Sequence, residues 1–172
     1  MAIKRSLRKS GKAKVDPDRA SDPSSARAAA ITQLARRDFA SGELAQKLTE
    51  QGFDRAVVAE TIQELVEERV LNDERYAANF VAYHAARGHG SVRIARDLRD
   101  LDLPDEMIRE ALASGLDWPA LARDVRVRKF GLPPPESWAE KVRQARFLQY
   151  RGFSSDHIRS AIGPDFDPDE ST

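Results

Sequence analysis

Three histidines, His84, His89 and His157, are the side chains of this sequence best suited to hold a metal or move a proton near neutrality. Their spacing serves neither task. A metal-binding pair on one helix face sits four residues apart, whereas His84 and His89 are five apart and straddle an expected helix end. They read as packing or surface groups. Gly88-His89-Gly90-Ser91 has the outline of a phosphate loop but lacks the lysine and the preceding strand, so it reads as a helix-to-helix turn with Ser91 as a cap. Glu60, Glu64, Glu67 and Glu68 lie along the outer face of one expected helix, where water satisfies them. The sequence has no cysteine, which excludes disulfides, thiolate metal sites and cysteine nucleophiles and suits a reducing cytoplasm. No catalytic group, metal site or cofactor is expected, and the chain reads as a non-enzyme.

The elements that would position a functional surface are more informative. Gln51-Gly52-Phe53-Asp54 falls at the same phase as Leu101-Asp102-Leu103-Pro104 and Arg151-Gly152-Phe153-Ser154 when the chain is cut in fifty-residue steps. Ala45, Ala95 and Ala145 align, as do Leu48, Leu98 and Leu148; Val58, Ile108 and Ile158; and Ile62, Leu112 and Ile162. Such a period marks a repeat protein, in which one unit cannot bury its apolar face alone and its neighbours complete the core. The apolar spacing is helical throughout, as in Val58, Ile62, Leu65 and Val66. The expected fold is all-α: three tandem three-helix, helix-turn-helix-like repeats in an elongated, curved array. The boundaries predicted are a flexible basic arm over 1–27, repeats over 28–71, 72–117 and 118–163, and an acidic flexible tail over 164–172.

The punctuation of each repeat has a physical reason. Gly52 suits a left-handed residue ending the second helix, Phe53 can pack back on it, and Asp54 can cap the third. Gly152, Phe153 and Ser154 repeat the device. Asp102 replaces the glycine in the second repeat, where Pro104 opens the next helix. Gly131-Leu132-Pro133-Pro134-Pro135 predicts a stiff loop inside the third repeat. No run approaches the roughly 18 apolar residues that span a bilayer, and the basic amino terminus lacks the apolar segment of a secretory signal.

The chain has 172 residues, 28 basic and 28 acidic, and this balance conceals a gradient. Residues 1–26 are net +4, the first two repeats −3 each, the third repeat +5 and the tail −4. The third repeat supplies the strongest candidates for contact with an acidic partner or nucleic acid: Arg123, Arg126, Arg128, Lys129, Lys141, Arg143, Arg146 and Arg151. Arg123, Arg126 and Lys129 would share a face at three-residue spacing. Arg36, Arg37, Arg75, Arg87 and Arg93 complete the candidate set. Trp118, Phe130, Trp138, Phe147 and Tyr150 could stack on bases but read first as core. A DNA-reading helix-turn-helix is an alternative, yet its recognition helix in the first repeat, Arg55 to Arg69, carries four glutamates and arginine only at its ends.

Leu34-Ala35-Arg36-Arg37, Ser41-Gly42-Glu43-Leu44, Lys47-Leu48 and Gly52-Phe53 together resemble the first repeat of the RecX family of recombination regulators. Leu71-Asn72-Asp73-Glu74-Arg75-Tyr76-Ala77, Phe80-Val81, Arg87-Gly88-His89-Gly90 and Arg93-Ile94 are similar to its central signature, and Phe147-Leu148 with Arg151-Gly152-Phe153-Ser154 to its carboxy-terminal one. The likeness spans about residues 28–163. Asp102, where the family usually has glycine, and the two charged termini depart from it. Asp73 and Glu74 suit a helix start electrostatically, and Tyr76 reads as core.

This resemblance implies a small all-helical modulator that binds the RecA recombinase and its filament on single-stranded DNA; a monomer in the cytoplasm is the default expectation beside it. It implies suppression of ATP hydrolysis, strand exchange and filament growth, with no chemistry of its own. A helical repeat protein acting directly on DNA is the alternative. The charge gradient predicts that the array bridges adjacent RecA protomers with its basic third repeat toward acidic recombinase surface or bound DNA. Charge reversal at Arg126, Lys129 and Arg143 is expected to weaken inhibition of RecA without unfolding the chain, as read by ATP hydrolysis and circular dichroism; full inhibition by the variant would refute the assignment.

Overall fold

The structure, a computed structural model, describes residues 16, 19–113, 115–163 and 165–166; most of the expected basic arm and acidic tail lies outside them. Among the described residues are nine helices and no strand: α1 (Pro23–Leu34), α2 (Ser41–Gln51), α3 (Arg55–Glu67), α4 (Asp73–Ala86), α5 (Ser91–Arg99), α6 (Asp105–Leu112), α7 (Trp118–Phe130), α8 (Trp138–Tyr150) and α9 (Ser155–Ile162). They form three triplets. Two compact units result, one ending at Leu71 with α1–α3 and the other beginning at Asn72 with α4–α9.

The repeating turn works through backbone geometry. Gly52 adopts φ 107°, and the Phe53 amide donates to the Leu48 carbonyl at 3.3 Å. Asp102 (φ 62°) and Gly152 (φ 84°) do the same, with Leu103 donating to Leu98 at 3.4 Å and Phe153 to Leu148 at 3.1 Å. This closure satisfies orphan carbonyls of the second helix and turns the next residue inward. Phe53, Leu103 and Phe153 are accordingly buried. Each such side chain is worth roughly 1.5–3 kcal/mol when removed from water, so one turn supplies both the bend and a core anchor.

The helix starts depart from expectation in four places, one of them Pro104, which holds the cap position before α6 instead of its first turn. Asp54 makes no capping bond to α3; its carboxylate accepts from the Ser21 hydroxyl, while its amide donates to the Ala20 carbonyl at 3.0 Å. Ser91 is the first residue of α5, and Gly90 holds the cap position. α1 begins at Pro23, inside the segment expected to be flexible, because Asp22 accepts from the amides of Ser24 (3.3 Å) and Ser25 (3.0 Å) and proline suits a first turn. Ser154 caps α9 as expected, accepting from the His157 amide at 3.4 Å.

In the first unit, Ala26 and Ala30 of α1 pack with Phe39, Leu44, Leu48, Phe53, Val58, Leu65 and Leu71. Arg27 pairs across the exposed surface with Glu68 (2.7 Å) and Glu64 (3.6 Å), a contact of small energetic weight. In the second unit, Ala122, Val125, Ala145, Leu148, Phe153, Ile158 and Ile162 form a core that Phe166 completes. Phe166 was expected to belong to the flexible tail, yet it is fully buried with its ring 5.2 Å from that of Trp138. Trp118 is also buried, and its indole N–H donates to the Leu112 carbonyl at 3.1 Å, tying α7 to the end of α6. Trp118 stacks with His157 at 6.3 Å; burial lowers the pKa of that histidine from its ordinary 6.5, favouring the neutral ring.

The second and third triplets are joined by main chain. The amides of Val92 and Arg93, in the first turn of α5, donate to the Gly152 carbonyl at 3.0 and 3.4 Å, and Gly90 donates to Arg151 at 2.9 Å. A residue from the third triplet thus does the work of a side-chain cap for the second. Neither glycine tolerates a side chain here: a Cβ on Gly90 would overlap the Gly152 carbonyl, and one on Gly152 would overlap Arg93 and come within 2.7 Å of its amide nitrogen. Gly152→Ala is therefore expected to cost about 3 kcal/mol in urea unfolding, adding overlap to left-handed strain. Gly115→Ala, with φ 93° but nothing within 4 Å of the new methyl, should cost only about 1 kcal/mol.

Candidate functional site

The same junction gathers helix ends. Arg87 caps the C-terminus of α4, Arg151 caps that of α8, and Arg128 and Lys129 occupy the last turn of α7. With Gly88, Val125 and Phe147 they line an open groove of about 220 Å³. Gly88 makes the approach possible: at φ 79°, its position leaves a built Cβ only 3.0 Å from Val125 Cγ2 and 3.9 Å from both Arg128 Nη2 and Arg151 Nη1. The two guanidinium groups thus converge on one glycine.

The cations are held by neutral oxygens. Arg87 Nη1 donates to the Tyr83 hydroxyl at 2.8 Å, Arg128 Nε to the Asp124 carbonyl at 3.4 Å, and Arg151 Nη1 to the Arg87 carbonyl at 3.3 Å. Arg87 lies over the Tyr83 ring at 5.1 Å and Arg151 over the Phe147 ring at 5.4 Å. No carboxylate lines the groove or forms a salt bridge with these four cations among the described residues. Three helix C-termini present about −0.5 charge each, so part of the cationic charge only offsets the dipoles. Four full positive charges against about −1.5 leave a surplus near +2.5. That surplus is what an anionic partner would meet.

The remaining candidates are placed differently. Arg126, expected on the surface with Arg123 and Lys129, is buried at 5% exposure. Its guanidinium donates to the carbonyls of Leu132 (3.1 Å) and Pro133 (3.0 Å) and to Gln144 Oε1 (3.4 Å), pinning the proline-rich loop to α7 and α8. It serves the fold and presents no contact surface. The charge-reversal variant expected to stay folded must therefore omit it, leaving Lys129 and Arg143 as its surface positions.

Arg123 donates to Ser160 Oγ at 2.7 Å, and Arg143 lies over the Phe130 ring at 5.6 Å. Lys141 is half-buried and Arg146 exposed on α8, and Arg93 faces Asp97 at 3.6 Å. In the first unit, Arg36 is exposed, while Arg37 stacks on Phe39 at 3.6 Å and pairs with Glu43 at 3.0 Å. Arg75 is exposed in the first turn of α4, where Asn72 accepts from its amide at 2.7 Å and Asp73 and Glu74 favour the helix start. Of the aromatic candidates, Trp118 is buried and Phe130 packs edge-on against Phe147 at 5.3 Å, whereas Trp138 and Tyr150 are 54% and 81% exposed.

Two features had no counterpart in the sequence reading. His84 and His89, five apart, meet with Nδ1 atoms 3.1 Å apart and rings stacked at 5.2 Å, because the left-handed Gly88 returns the His89 amide to the His84 carbonyl at 3.1 Å. Burial and then neighbouring charges, Arg93 among them, hold both pKa values below 6.5, with Asp97 opposing. No cluster of three or more metal-binding side chains exists among the described residues. The groove is not legible repeat by repeat, because Arg87 comes from the second triplet and its partners from the third. The dipeptides Arg87-Gly88 and Arg151-Gly152, a cation before a helix-ending glycine, carried the signal.

Fold and groove together define the class: an all-helical protein of tandem three-helix domains. Family models match in order, the first RecX three-helix domain over 26–65, the second over 72–112 and the third over 118–162. The chain belongs to the RecX family of regulatory proteins. It is 43% identical over 145 residues to the regulatory protein RecX of Halorhodospira halophila, covering 84% of this chain and 90% of that one. It is 37% identical over 134 residues to that of Vibrio vulnificus, covering 77% and 88%. A crystal structure of a regulatory protein RecX superposes with a TM-score of 0.69 over 81% of this chain and 70% of the other, at 19% identity, which shows the shared fold.

Arg126→Ala should lower stability by about 3 kcal/mol, the scale for losing charge-assisted hydrogen bonds to buried carbonyls. Arg126→Lys should restore little of it, since one ammonium lacks the planar fork that spans two carbonyls. Urea unfolding gives the energies, and proteolysis within 131–135 reports release of the loop; an unchanged midpoint for Arg126→Ala would refute the structural role.

Proposed function

We propose that this chain regulates the RecA recombinase by binding the filament that RecA forms on single-stranded DNA. It suppresses ATP hydrolysis, strand exchange and filament growth, and so modulates homologous recombination and DNA repair. It acts as a cytoplasmic monomer that carries out no chemistry of its own. Membership of the RecX family supports this reading. The observation in the structure that carries it is the cationic groove across the second and third triplets, which no carboxylate lines among the described residues. An uncompensated positive surface of that kind accelerates encounter with an acidic assembly and sets orientation on it. Each three-helix domain in the tandem adds a contact surface of its own, which suits bridging of successive protomers along a filament.

The test is a titration of the purified chain into RecA already assembled on single-stranded DNA, followed by ATP hydrolysis, beside a binding assay on the same DNA without RecA. Hydrolysis should fall at chain concentrations that leave free DNA unbound. Unchanged hydrolysis together with tight binding to DNA alone would overturn the proposal in favour of a nucleic-acid-binding protein.

A further inference from the structure

We propose that the groove formed by Arg87, Arg128, Lys129 and Arg151 takes the phosphodiester backbone of single-stranded nucleic acid, with neighbouring tyrosines stacking on its bases. The inference rests on the regulatory reading above for the setting in which a strand is met, and names what this one site binds. At about 220 Å³ and open to solvent, the groove is smaller than the roughly 300–1,000 Å³ of pockets that enclose a small molecule. A backbone crossing it, phosphate by phosphate, fits that size.

The aromatic groups distinguish a nucleic-acid strand from an acidic peptide. Tyr83 and Arg87 on α4, and Phe147 and Arg151 on α8, are two aromatic–arginine pairs at four-residue spacing, each with its guanidinium over the ring. The ring covers the guanidinium, and the N–H groups beyond those bonded to the Tyr83 hydroxyl and the Arg87 carbonyl are left to donate to phosphate oxygens. Tyr83 is 58% exposed and Tyr150, one helical turn beyond Phe147, is 81% exposed. Neither ring is needed by the core. Carboxylates on a partner protein would gain little from them, whereas unpaired bases stack on such rings irrespective of sequence while cations follow the backbone. Four phosphate contacts make a weak site on free DNA, with a dissociation constant of about 10⁻⁴–10⁻⁶ M at physiological salt. Such a site adds to filament binding and does not replace it.

The experiment uses the full chain with Lys4, Arg5, Arg8, Lys9, Lys12 and Lys14 changed to alanine, so that the basic terminus does not bind in place of the groove. Fluorescence anisotropy of labelled oligothymidylate is measured across a salt series. Adding Arg87→Ala and Arg128→Ala, with the unfolding midpoint checked as unchanged, should reduce the slope of log affinity against log salt by about 1.4, at roughly 0.7 per lost contact on a single strand. Tyr150→Ala should weaken binding about fivefold or more at constant slope. Polyglutamate should not displace the strand. An unchanged slope, or displacement by polyglutamate at equal charge, overturns the inference. If the arginine variant keeps its slope yet no longer suppresses RecA, the groove meets protein and only this inference falls. If the slope drops in a chain that never affected RecA, the strand site stands and the RecA reading falls.

Discussion

One carbonyl oxygen organises the second unit. Gly152 ends α8 in a left-handed turn, and its carbonyl accepts the first free amides of α5 from the neighbouring triplet. A helix start normally finds its acceptor in a local side chain. Here the acceptor lies sixty residues further along the chain, so α5 is fully satisfied only when the two triplets are docked. The requirement explains the glycines. Gly90 and Gly152 sit where backbone meets backbone, and a single methyl at either position would separate the surfaces.

Docking has an electrostatic consequence. It brings the C-termini of α4, α7 and α8 to one place, and aligned carbonyls there would repel each other without compensation. Arginine at both capping positions and a basic last turn of α7 provide it. The compensation exceeds the need, and the excess is held on aromatic rings and neutral oxygens, with no carboxylate among the described residues to quench it. A feature that begins as helix-end stabilisation becomes a surface competent to bind anions. Arg126, buried a short distance along the same helix, shows the contrasting use of the same residue type: its charge is consumed by two loop carbonyls and an amide oxygen.

Much of the architecture was legible because it rests on local rules. The fifty-residue recurrence of a left-handed residue followed by an inward apolar group corresponds to the same backbone hydrogen bond in all three triplets, even with Asp102 in place of glycine. What escaped prediction depends on partners distant in sequence. Asp54 looked like a cap but turns to Ser21; Phe166 looked like tail but fills a core; Arg126 looked like surface because helical spacing places it near Arg123 and Lys129 without showing the loop above it. The groove needed the pairing of Arg87 with Arg151, which no period within one repeat reveals.

Native-state hydrogen exchange at the Val92 and Arg93 amides tests the organising contact most directly. If the Gly152 carbonyl holds the two triplets as one body, both amides exchange only through unfolding of the whole second unit and share the opening free energy of the most protected amides of α7 and α9. Rapid exchange at Val92 and Arg93 while α7 and α9 stay protected would mean that the triplets part freely, and that the groove between them is not a standing feature of the protein.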